Sequence, residues 1–152
     1  MEIGTKVPNL LGLDQAGREV LRSDYAGQWI ALYFYPKDNT AGCTKQACNL
    51  RDNYTLLQQR GVAIVGVSRD SAASHQRFIE KQQLPFRLIV DSDNVLGEAF
   101  GTWVEKTLYG RRYMGTERTT FLISPEGEVR HVLRGRAVKT GEHAEQILAL
   151  LS

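Results

Sequence analysis

Two short segments of this chain are apolar along their whole length, and they constrain the fold more than any other feature. The first is "WIALYFYP", from Trp29 to Pro36, and the second is "VAIVGVS", from Val62 to Ser68. Continuous apolar runs of this length are typical of β-strands that are covered on both faces, as in a parallel sheet. Residues 42 to about 59, between the two runs, are rich in helix-forming Lys, Gln, Ala, Leu and Arg. We therefore predict a β-α-β unit whose helix ends near Gly61.

The segments that follow add a second helix, a third strand and a short third helix. The second helix is predicted over residues 71–83, because Ser71 is a good N-cap residue and Pro85 cannot continue a helix. "RLIVD" is then predicted as a buried strand and "DNVLGEAFG" as a short helix. The stretch from Trp103 to Gly115 mixes aromatic and turn residues, and we predict an irregular surface loop there.

Two hairpins and a terminal helix complete the predicted fold. "NLLGLDQAGREVLRS" indicates two short strands around "DQAG", and "RTTFLISPEGEVRHVLRG" indicates two strands around "PEG". The C-terminal "GEHAEQILALLS" is predicted as an amphipathic helix that packs on the sheet through Ala144, Ile147, Leu148 and Leu151. We therefore predict one α/β domain over residues 1–152, with a thioredoxin-like fold: a central mixed β-sheet flanked by helices, with an N-terminal β-hairpin.

Charge and hydropathy narrow the choice of partners. Nineteen Lys and Arg against seventeen Asp and Glu leave a net charge of +2, and no long run of like charges occurs, so no nucleic-acid partner is expected. The longest apolar stretch is far shorter than the roughly 20 residues that span a bilayer. The N-terminal "MEIGTKVPNL" lacks the basic and apolar regions of a signal peptide. We expect a cytoplasmic protein without membrane contact.

The chain has only two cysteines, Cys43 and Cys48, five positions apart. In a reducing compartment such a pair seldom forms a structural disulfide, so transient redox chemistry or a metal site are the two alternatives. The three histidines, His75, His131 and His143, are remote from the cysteines in sequence and have no ligand spacing among themselves. We therefore expect no metal.

Cys43 is predicted to lie just after the first central strand, in the first turn of the following helix. The unpaired N–H groups and the positive end of the helix dipole favour a thiolate there, and the thiolate is the nucleophilic form. Gly42 would let the backbone approach a small substrate, and the Thr40 hydroxyl could hydrogen-bond the thiolate and an incoming oxygen. Each neighbour also has a structural interpretation, with Thr40 as a helix cap and Pro36 as a strand terminator.

The spacing of the two cysteines does not suit a disulfide within an intact helix. Five helical residues separate the Cα atoms of Cys43 and Cys48 by about 8.6 Å, whereas a disulfide needs less than about 7 Å. A bond between them would require the first turns of the helix to unwind. The alternative for Cys48 is an ordinary buried cysteine of the core. A C-x-x-C dithiol reductase is disfavoured, because four residues lie between the cysteines.

The pattern P-x-x-x-T-x-x-C, here Pro36, Thr40 and Cys43, is followed by Thr44, Gln46 and "ACNLRD". It resembles the peroxiredoxins and, within them, the peroxiredoxin Q group, also called bacterioferritin comigratory protein. The resemblance continues through "GVAIVGVSRDS", "LPFRLIVDSD", "AFGTWVEK" and "ERTTFLISPEGEV", and so covers nearly the whole chain.

This resemblance implies a catalytic cycle and a role for each cysteine. The residue that matches Cys43 attacks the terminal oxygen of a hydroperoxide and becomes a sulfenic acid. The residue that matches Cys48 condenses with it to an intramolecular disulfide, which thioredoxin or a similar dithiol reduces. Some members carry the second cysteine on the next helix, but residues 75–81 contain none here, which favours Cys48.

The resemblance also implies supporting residues. The family's proline and threonine match Pro36 and Thr40, its distant active-site arginine matches Arg118, and Gln46 falls where relatives carry a Glu or Gln that supports this arginine. An arginine beside the sulfur would stabilise the thiolate and the charge that grows on the leaving oxygen. This chain departs from the usual Thr-Pro-Gly-Cys by having Ala41 in place of the proline, which leaves the loop more conformational freedom.

The leading hypothesis is a monomeric, thioredoxin-dependent thiol peroxidase for hydrogen peroxide and organic hydroperoxides, without metal, haem or flavin, that serves antioxidant defence and cell redox homeostasis. Two alternatives use the same fold. In one, oxidation unwinds the helix and exposes a surface for a partner, as in a redox sensor. In the other, the cysteines are inert. The stretch from Trp103 to Gly115 could line a pocket for lipid peroxides, contact a partner, or serve packing alone.

Overall fold

The computed structural model describes residues 1–151; Ser152, which the sequence analysis included in the last helix, lies outside the described residues. The strands are β1 (Leu10–Leu13), β2 (Glu19–Leu21), β3 (Trp29–Phe34), β4 (Val62–Ser68), β5 (Arg87–Val90), β6 (Trp103–Leu108), β7 (Arg111–Thr116), β8 (Thr119–Ile123) and β9 (Val129–Arg134). The α-helices are α1 (Ala41–Asp52), α2 (Tyr54–Gln59), α3 (Ala72–Gln82), α4 (Val95–Ala99) and α5 (His143–Leu151).

A mixed five-stranded sheet in the order β5-β4-β3-β8-β9 forms the centre of the molecule. β3 and β4 run parallel with Trp29 opposite Val62, and β4 and β5 are also parallel. β8 runs antiparallel to both β3 and β9. The predicted fold class and the β-α-β unit are therefore confirmed, and so is the N-terminal hairpin of β1 and β2.

Both faces of β3 are buried, as its continuous apolar run predicts. Tyr33 belongs to a core cluster that also contains Cys43 and Ala47 of α1. The alternate residues Leu32 and Phe34 belong to a second cluster on the other face. This alternation follows from the two-residue period of a strand, and it places α1 directly against the strand that leads into it.

The helix predicted over residues 42–59 is in fact two helices, α1 and α2, with a break at Asn53. The backbone of Asn53 is not helical, with φ −108° and ψ 14°, and its side-chain amide donates a hydrogen bond to the carbonyl of Asn49 over 2.8 Å. A short amide side chain that bonds nearby backbone competes with the helical pattern. The next predicted helix is confirmed: the hydroxyl of Ser71 caps α3 by accepting from the N–H of Ser74 over 3.1 Å.

The prediction of an irregular loop from Trp103 to Gly115 is wrong. These residues form a two-stranded hairpin, β6 and β7, joined at Tyr109 and Gly110, whose φ values are +52° and +77°. Two positive φ values are typical of the type I′ turn that connects paired strands. The sequence analysis missed the hairpin because most of β7 is exposed on both faces, so no alternation of apolar and polar residues marks it. Its surface location was predicted correctly.

The remaining predicted elements are present. β8 and β9 pair as an antiparallel hairpin around the "PEG" turn. The predicted apolar face of α5 packs on the sheet, with Ala144 and Ile147 buried and Leu148 and Leu151 at the edge of the same core cluster. Among residues 1–151, no helix has the length and apolar character needed to cross a lipid bilayer.

Candidate active site

Cys43 is the third residue of α1, in the first turn of the helix that follows β3, as the sequence predicted. Its side chain is only 2% exposed and belongs to the core cluster between α1 and the sheet. The helical hydrogen bonds begin with the N–H of Thr44, which donates to the carbonyl of Thr40 over 2.8 Å. The sulfur is therefore attached to the first turn, where backbone N–H groups and the helix dipole favour negative charge.

Arg118 brings a positive charge directly to this sulfur. Its Nη2 donates to Cys43 Sγ over 3.3 Å, and its Nη1 donates to Gln46 Oε1 over 2.5 Å. Sheet pairing explains the approach: Thr119 lies opposite Phe34, so the residue before β8 emerges beside the end of β3. A guanidinium in hydrogen-bond contact stabilises the thiolate form of the sulfur.

Gln46 and Gly42 both help to position the guanidinium of Arg118. Gln46 is completely buried one turn after Cys43, and its Oε1 accepts from Arg118 while its Nε2 has no partner among the described residues. A Cβ at Gly42 would lie 3.3 Å from Arg118 Nη2, a tight contact. The glycine therefore makes room for the guanidinium, a role that the sequence analysis did not anticipate when it considered Gly42 only as an approach for substrate.

Thr40 occupies the N-cap position of α1, but its side chain does not cap the helix. Its hydroxyl donates instead to the carbonyl of Lys37 over 2.8 Å, and the residue is exposed. Because its proton is engaged, the hydroxyl oxygen can act towards a ligand only as a hydrogen-bond acceptor. Pro36 is also exposed and lies with Arg118 along the wall of an open groove.

Cys48 lies on the same unbroken helix as Cys43, and both are free thiols. Its side chain is half-buried, and its Sγ donates to Gln82 Oε1 over 3.3 Å. Arg51, one turn further along α1, donates to the backbone carbonyl of Gln82 over 2.6 Å. The second thiol is thus held against the end of α3, and α1 must open before the two sulfurs can meet.

The loop between β3 and α1 is tied down by a buried network that the sequence analysis missed. Asp38 Oδ2 lies 2.7 Å from His75 Nδ1, and His75 Nε2 lies 2.9 Å from the carbonyl oxygen of Ile89. The hydroxyl of Tyr35 donates to Asp38 Oδ1 over 2.5 Å. Tyr35 and Asp38 lie in a different segment of the chain from His75, and none of the three belongs to a recognisable motif. The sequence alone therefore does not indicate this network.

A metal could in principle use part of this network, because atoms of Asp38, Asp70 and His75 lie within 4.8 Å of one another. Their hydrogen bonds already occupy them, however. Both ring nitrogens of His75 are engaged, and Asp70 Oδ2 accepts from the hydroxyl of Ser68 over 2.6 Å and from the N–H of Asp38 over 2.9 Å. The arrangement fits a network that positions the loop before Cys43 better than it fits a cation site.

Tyr33 is a further residue beside the two cysteines, and sequence patterns provide no reason to single it out. Its hydroxyl is buried and has no hydrogen-bond partner among the described residues. Burial raises the pKa of Tyr33 well above its ordinary value, and the neighbouring charge of Cys43 adds to this effect. The phenol therefore stays neutral within the core cluster that it shares with Cys43.

An open groove of about 600 Å³ leads away from Arg118 and Pro36. The groove is also lined by the hairpin of β6 and β7, through Lys106 and Tyr113, and by Arg136 after β9. The exposed hairpin thus forms part of the same groove as Arg118.

Comparison with known proteins identifies the family of this chain. The model of the AhpC/TSA family matches residues 3–132. The chain belongs to this family. Peroxiredoxin Bcp of Bacillus subtilis strain 168 is 46% identical over 151 residues, which cover 99% of this chain and 95% of that protein. Peroxiredoxin Bcp of Escherichia coli K12 is 40% identical over 148 residues, covering 97% and 94% of the two chains.

Solved peroxiredoxin structures have the same fold. A cysteine-to-serine mutant of Xylella fastidiosa PrxQ is 38% identical, with a TM-score of 0.89 and coverage of 99% of this chain and 95% of that chain. A bacterioferritin comigratory protein of Xanthomonas campestris, studied for alkyl peroxide reduction, is 38% identical, with a TM-score of 0.85 and 97% of each chain covered. This AhpC/TSA member is therefore an enzyme of the peroxiredoxin class, as the resemblance implied.

Proposed function

We propose that this protein is a thiol peroxidase that reduces hydrogen peroxide and organic hydroperoxides through Cys43. The observation that carries the proposal is the hydrogen bond of 3.3 Å from Arg118 Nη2 to Cys43 Sγ, at the first turn of α1. A thiolate that is stabilised by a guanidinium and a helix N-terminus, beside an open groove, is equipped to attack an electrophilic oxygen.

The first step forms a bond between Cys43 and the terminal oxygen of the hydroperoxide. The thiolate attacks this oxygen, the O–O bond breaks, and the electron pair leaves on the other oxygen, which takes a proton to become an alcohol or water. The products are a sulfenic acid and the reduced substrate. Arg118 lies where it can stabilise the charge on the leaving oxygen, and the Thr40 oxygen can accept the hydrogen of the attacked hydroxyl.

The second step joins Cys43 to Cys48. The thiol of Cys48 attacks the sulfenic sulfur, the S–O bond breaks, and water leaves as the disulfide forms. Because both residues lie on intact α1, the helix must open locally during each cycle. The bond from Cys48 Sγ to Gln82 Oε1 of 3.3 Å must break for this to happen.

The third step needs an external dithiol, and we assign this role to thioredoxin or a similar reductant. One thiolate of the reductant attacks the Cys43–Cys48 disulfide, and its second thiol releases this protein in the reduced state. Family membership supports a peroxide substrate and a thioredoxin-like reductant. We further propose that residues 1–152 act as one domain, as a monomer, in the reducing cytoplasm, in antioxidant defence.

The intact mass of the reduced protein, measured before and after one equivalent of hydrogen peroxide with alkylation of free thiols, tests the proposal. We expect the loss of two hydrogen masses and no remaining alkylatable thiol, because Cys43 and Cys48 join. A gain of one oxygen without a bond would preserve the peroxidase and eliminate Cys48 as its partner. An unchanged mass would eliminate the peroxidase as well.

A further inference from the structure

Within residues 1–151, the packing of α1 on the central sheet leaves two polar atoms unpaired. The hydroxyl of Tyr33 and Nε2 of Gln46 are the two buried side-chain oxygen or nitrogen atoms of the described chain that have no hydrogen-bond partner. Gln46 lies on the buried face of α1, and Tyr33 of β3 shares a core cluster with Cys43 and Ala47 of that helix. Both atoms therefore occur where the helix that carries the two cysteines meets the sheet.

The phenol of Tyr33 lies in a closely packed apolar environment. Its ring stacks on Tyr35 with the centroids 5.3 Å apart, and it meets Phe86 edge-on at 6.1 Å. A Cβ at Gly66 would lie 3.0 Å from Tyr33 Cζ, so the tip of the ring is tightly packed on the side of β4. Burial is the main reason why the pKa of Tyr33 is raised, and the charges of the two cysteines add to it. The hydroxyl is thus beside the thiols of α1.

Tyr35 provides a direct comparison, because it lies two residues further along the chain, in the same core cluster. It is as buried as Tyr33, but its hydroxyl donates to Asp38 Oδ1 over 2.5 Å. A buried hydroxyl that has left water without gaining a protein partner destabilises the conformation that buries it. The closed form of α1 is therefore destabilised at Tyr33 and not at Tyr35.

We propose that the unpaired hydroxyl of Tyr33 promotes the opening of α1 through which Cys43 and Cys48 join. This inference rests on the second step of the proposed function. When the first turns of α1 unwind, the helix no longer covers Tyr33, and water can hydrogen-bond its hydroxyl. The open form thereby gains a hydrogen bond that the closed form lacks. Tyr33 is a positioning residue, since it acts through the helix and not on the reacting atoms.

This effect opposes the contacts that keep α1 closed. Cys48 Sγ donates to Gln82 Oε1 over 3.3 Å, and Arg51 donates to the carbonyl of Gln82 over 2.6 Å. Asn49 Oδ1 accepts from the N–H of Ala144 over 2.8 Å, near the start of α5. These contacts hold the closed form, in which the thiolate reacts, and the unpaired phenol limits how firmly it is held.

The balance between the two forms decides how long the sulfenic acid of Cys43 persists. While α1 stays closed, a second hydroperoxide can oxidise the sulfenic sulfur. The sulfur then bonds the terminal oxygen, the O–O bond breaks, and the other oxygen leaves with a proton as water or an alcohol. The product is a sulfinic acid, which the disulfide cycle does not reduce. Faster opening therefore protects Cys43 from this second oxidation.

Tyr33→Phe tests the inference, because it removes the hydroxyl and keeps the ring. Gln46 is unsuitable, since it also holds Arg118. We measure the second-order rate constant for oxidation of Cys43 by hydrogen peroxide, the rate of disulfide formation by acid quenching and mass analysis, and the urea midpoint of the reduced protein. Tyr35→Phe is the matched variant that removes a paired hydroxyl. Tyr109→Phe, at the exposed turn between β6 and β7, is the control.

We expect Tyr33→Phe to form the disulfide about fivefold more slowly than the wild type, and to unfold at a higher urea concentration. Oxidation of Cys43 should keep its wild-type rate, because Arg118 and the first turn of α1 are unchanged. Sulfinic acid should appear at about fivefold lower peroxide concentration, in proportion to the slower disulfide formation. Tyr35→Phe should unfold at a lower urea concentration, and Tyr109→Phe should match the wild type in every measurement.

Disulfide formation in Tyr33→Phe at the wild-type rate or faster would overturn this inference and leave the proposed function in place. A lower urea midpoint in Tyr33→Phe would also overturn it, because the hydroxyl would then have a partner in the closed form. If the wild type itself forms no bond between Cys43 and Cys48, both this inference and the second step of the proposed function are wrong.

Discussion

Arg118 Nη2 donates a hydrogen bond to Cys43 Sγ over 3.3 Å, although 75 residues separate them in the chain. The contact exists because β8 lies beside β3 in the sheet and delivers the arginine next to the first turn of α1. The same guanidinium is held from the other side by Gln46. Its orientation is therefore fixed before any substrate arrives, which is the condition for effective electrostatic stabilisation.

Replacing Arg118 with lysine should slow the oxidation of Cys43 by hydrogen peroxide about a hundredfold. Lysine keeps a charge, but it cannot contact Cys43 and Gln46 at once through a planar fork. The second-order rate constant in a single turnover measures the effect. Arg112→Lys is the control, since Arg112 is exposed and pairs with Glu105 on the hairpin. A rate within a few-fold of the wild type in Arg118→Lys would mean that the contact has no role in the reaction.

The two cysteines should behave differently when each is replaced. Cys43→Ser should abolish peroxide consumption, because the nucleophile is gone. Cys48→Ser should still consume one equivalent and then stall with Cys43 as a sulfenic acid, unless another thiol is added. Peroxide consumption with and without thioredoxin distinguishes the two outcomes. Sustained turnover in Cys43→Ser would refute the assignment of the nucleophile.

Gln82→Ala should speed disulfide formation after the first step. Gln82 Oε1 accepts the hydrogen bond from Cys48 Sγ, and loss of a bond of about 0.5–1.5 kcal/mol favours the opened form of α1 by roughly two- to tenfold. Acid quenching followed by mass analysis gives the rate. Gln59→Ala, at the exposed end of α2, should keep the wild-type rate. Slower disulfide formation in Gln82→Ala would show that the bond assists resolution.

Acid should destabilise the fold partly through His143. Burial lowers the pKa of His143 below its ordinary value of about 6.5, and Thr120 and Gln146 occupy its two ring nitrogens at 2.7 and 3.0 Å. As the pH falls through about 6.5, the unfolded chain binds a proton that the folded protein does not, so the free energy of unfolding decreases until the pH falls below the folded pKa.

Urea denaturation of the wild type and of His143→Gln, from neutral pH down to mildly acidic pH, measures this contribution. We expect the wild type to lose more free energy of unfolding across this interval than the variant does, because glutamine does not titrate. Identical pH dependence in the two proteins would remove His143 as the cause.

Ala41→Pro should stabilise the protein by about 0.4–1 kcal/mol. Ala41 is the first residue of α1, a position that favours proline, and the preceding Thr40 already has the extended backbone, φ −89° and ψ 159°, that a following proline requires. The free energy of unfolding in urea tests this, and the peroxide rate should not fall. A lower free energy would mean that residue 41 needs its N–H or a conformation that proline cannot adopt.

Local patterns predicted much of this protein. The apolar runs at Trp29 and Val62 identified the central strands, and the position of Cys43 at the start of a helix followed from the helix-forming residues between 42 and about 59, after the first strand. The prediction failed where no regular spacing of buried apolar residues marks the start and end of an element. The hairpin of β6 and β7 is exposed, and Asn53 interrupts a helix through a side-chain bond that residue composition does not reveal.

Local sequence patterns were enough to place the central strands, the main helices that flank them and the helical position of Cys43, because these depend on residues close together in the chain. The tertiary structure alone decided which residues meet the sulfur. Arg118 could be singled out in advance only through family resemblance, and neither the space that Gly42 leaves for it nor the contact of Gln82 with Cys48 could be anticipated. Such contacts are set by which strands pair and how helices pack on them, and local periodicity carries no information about either.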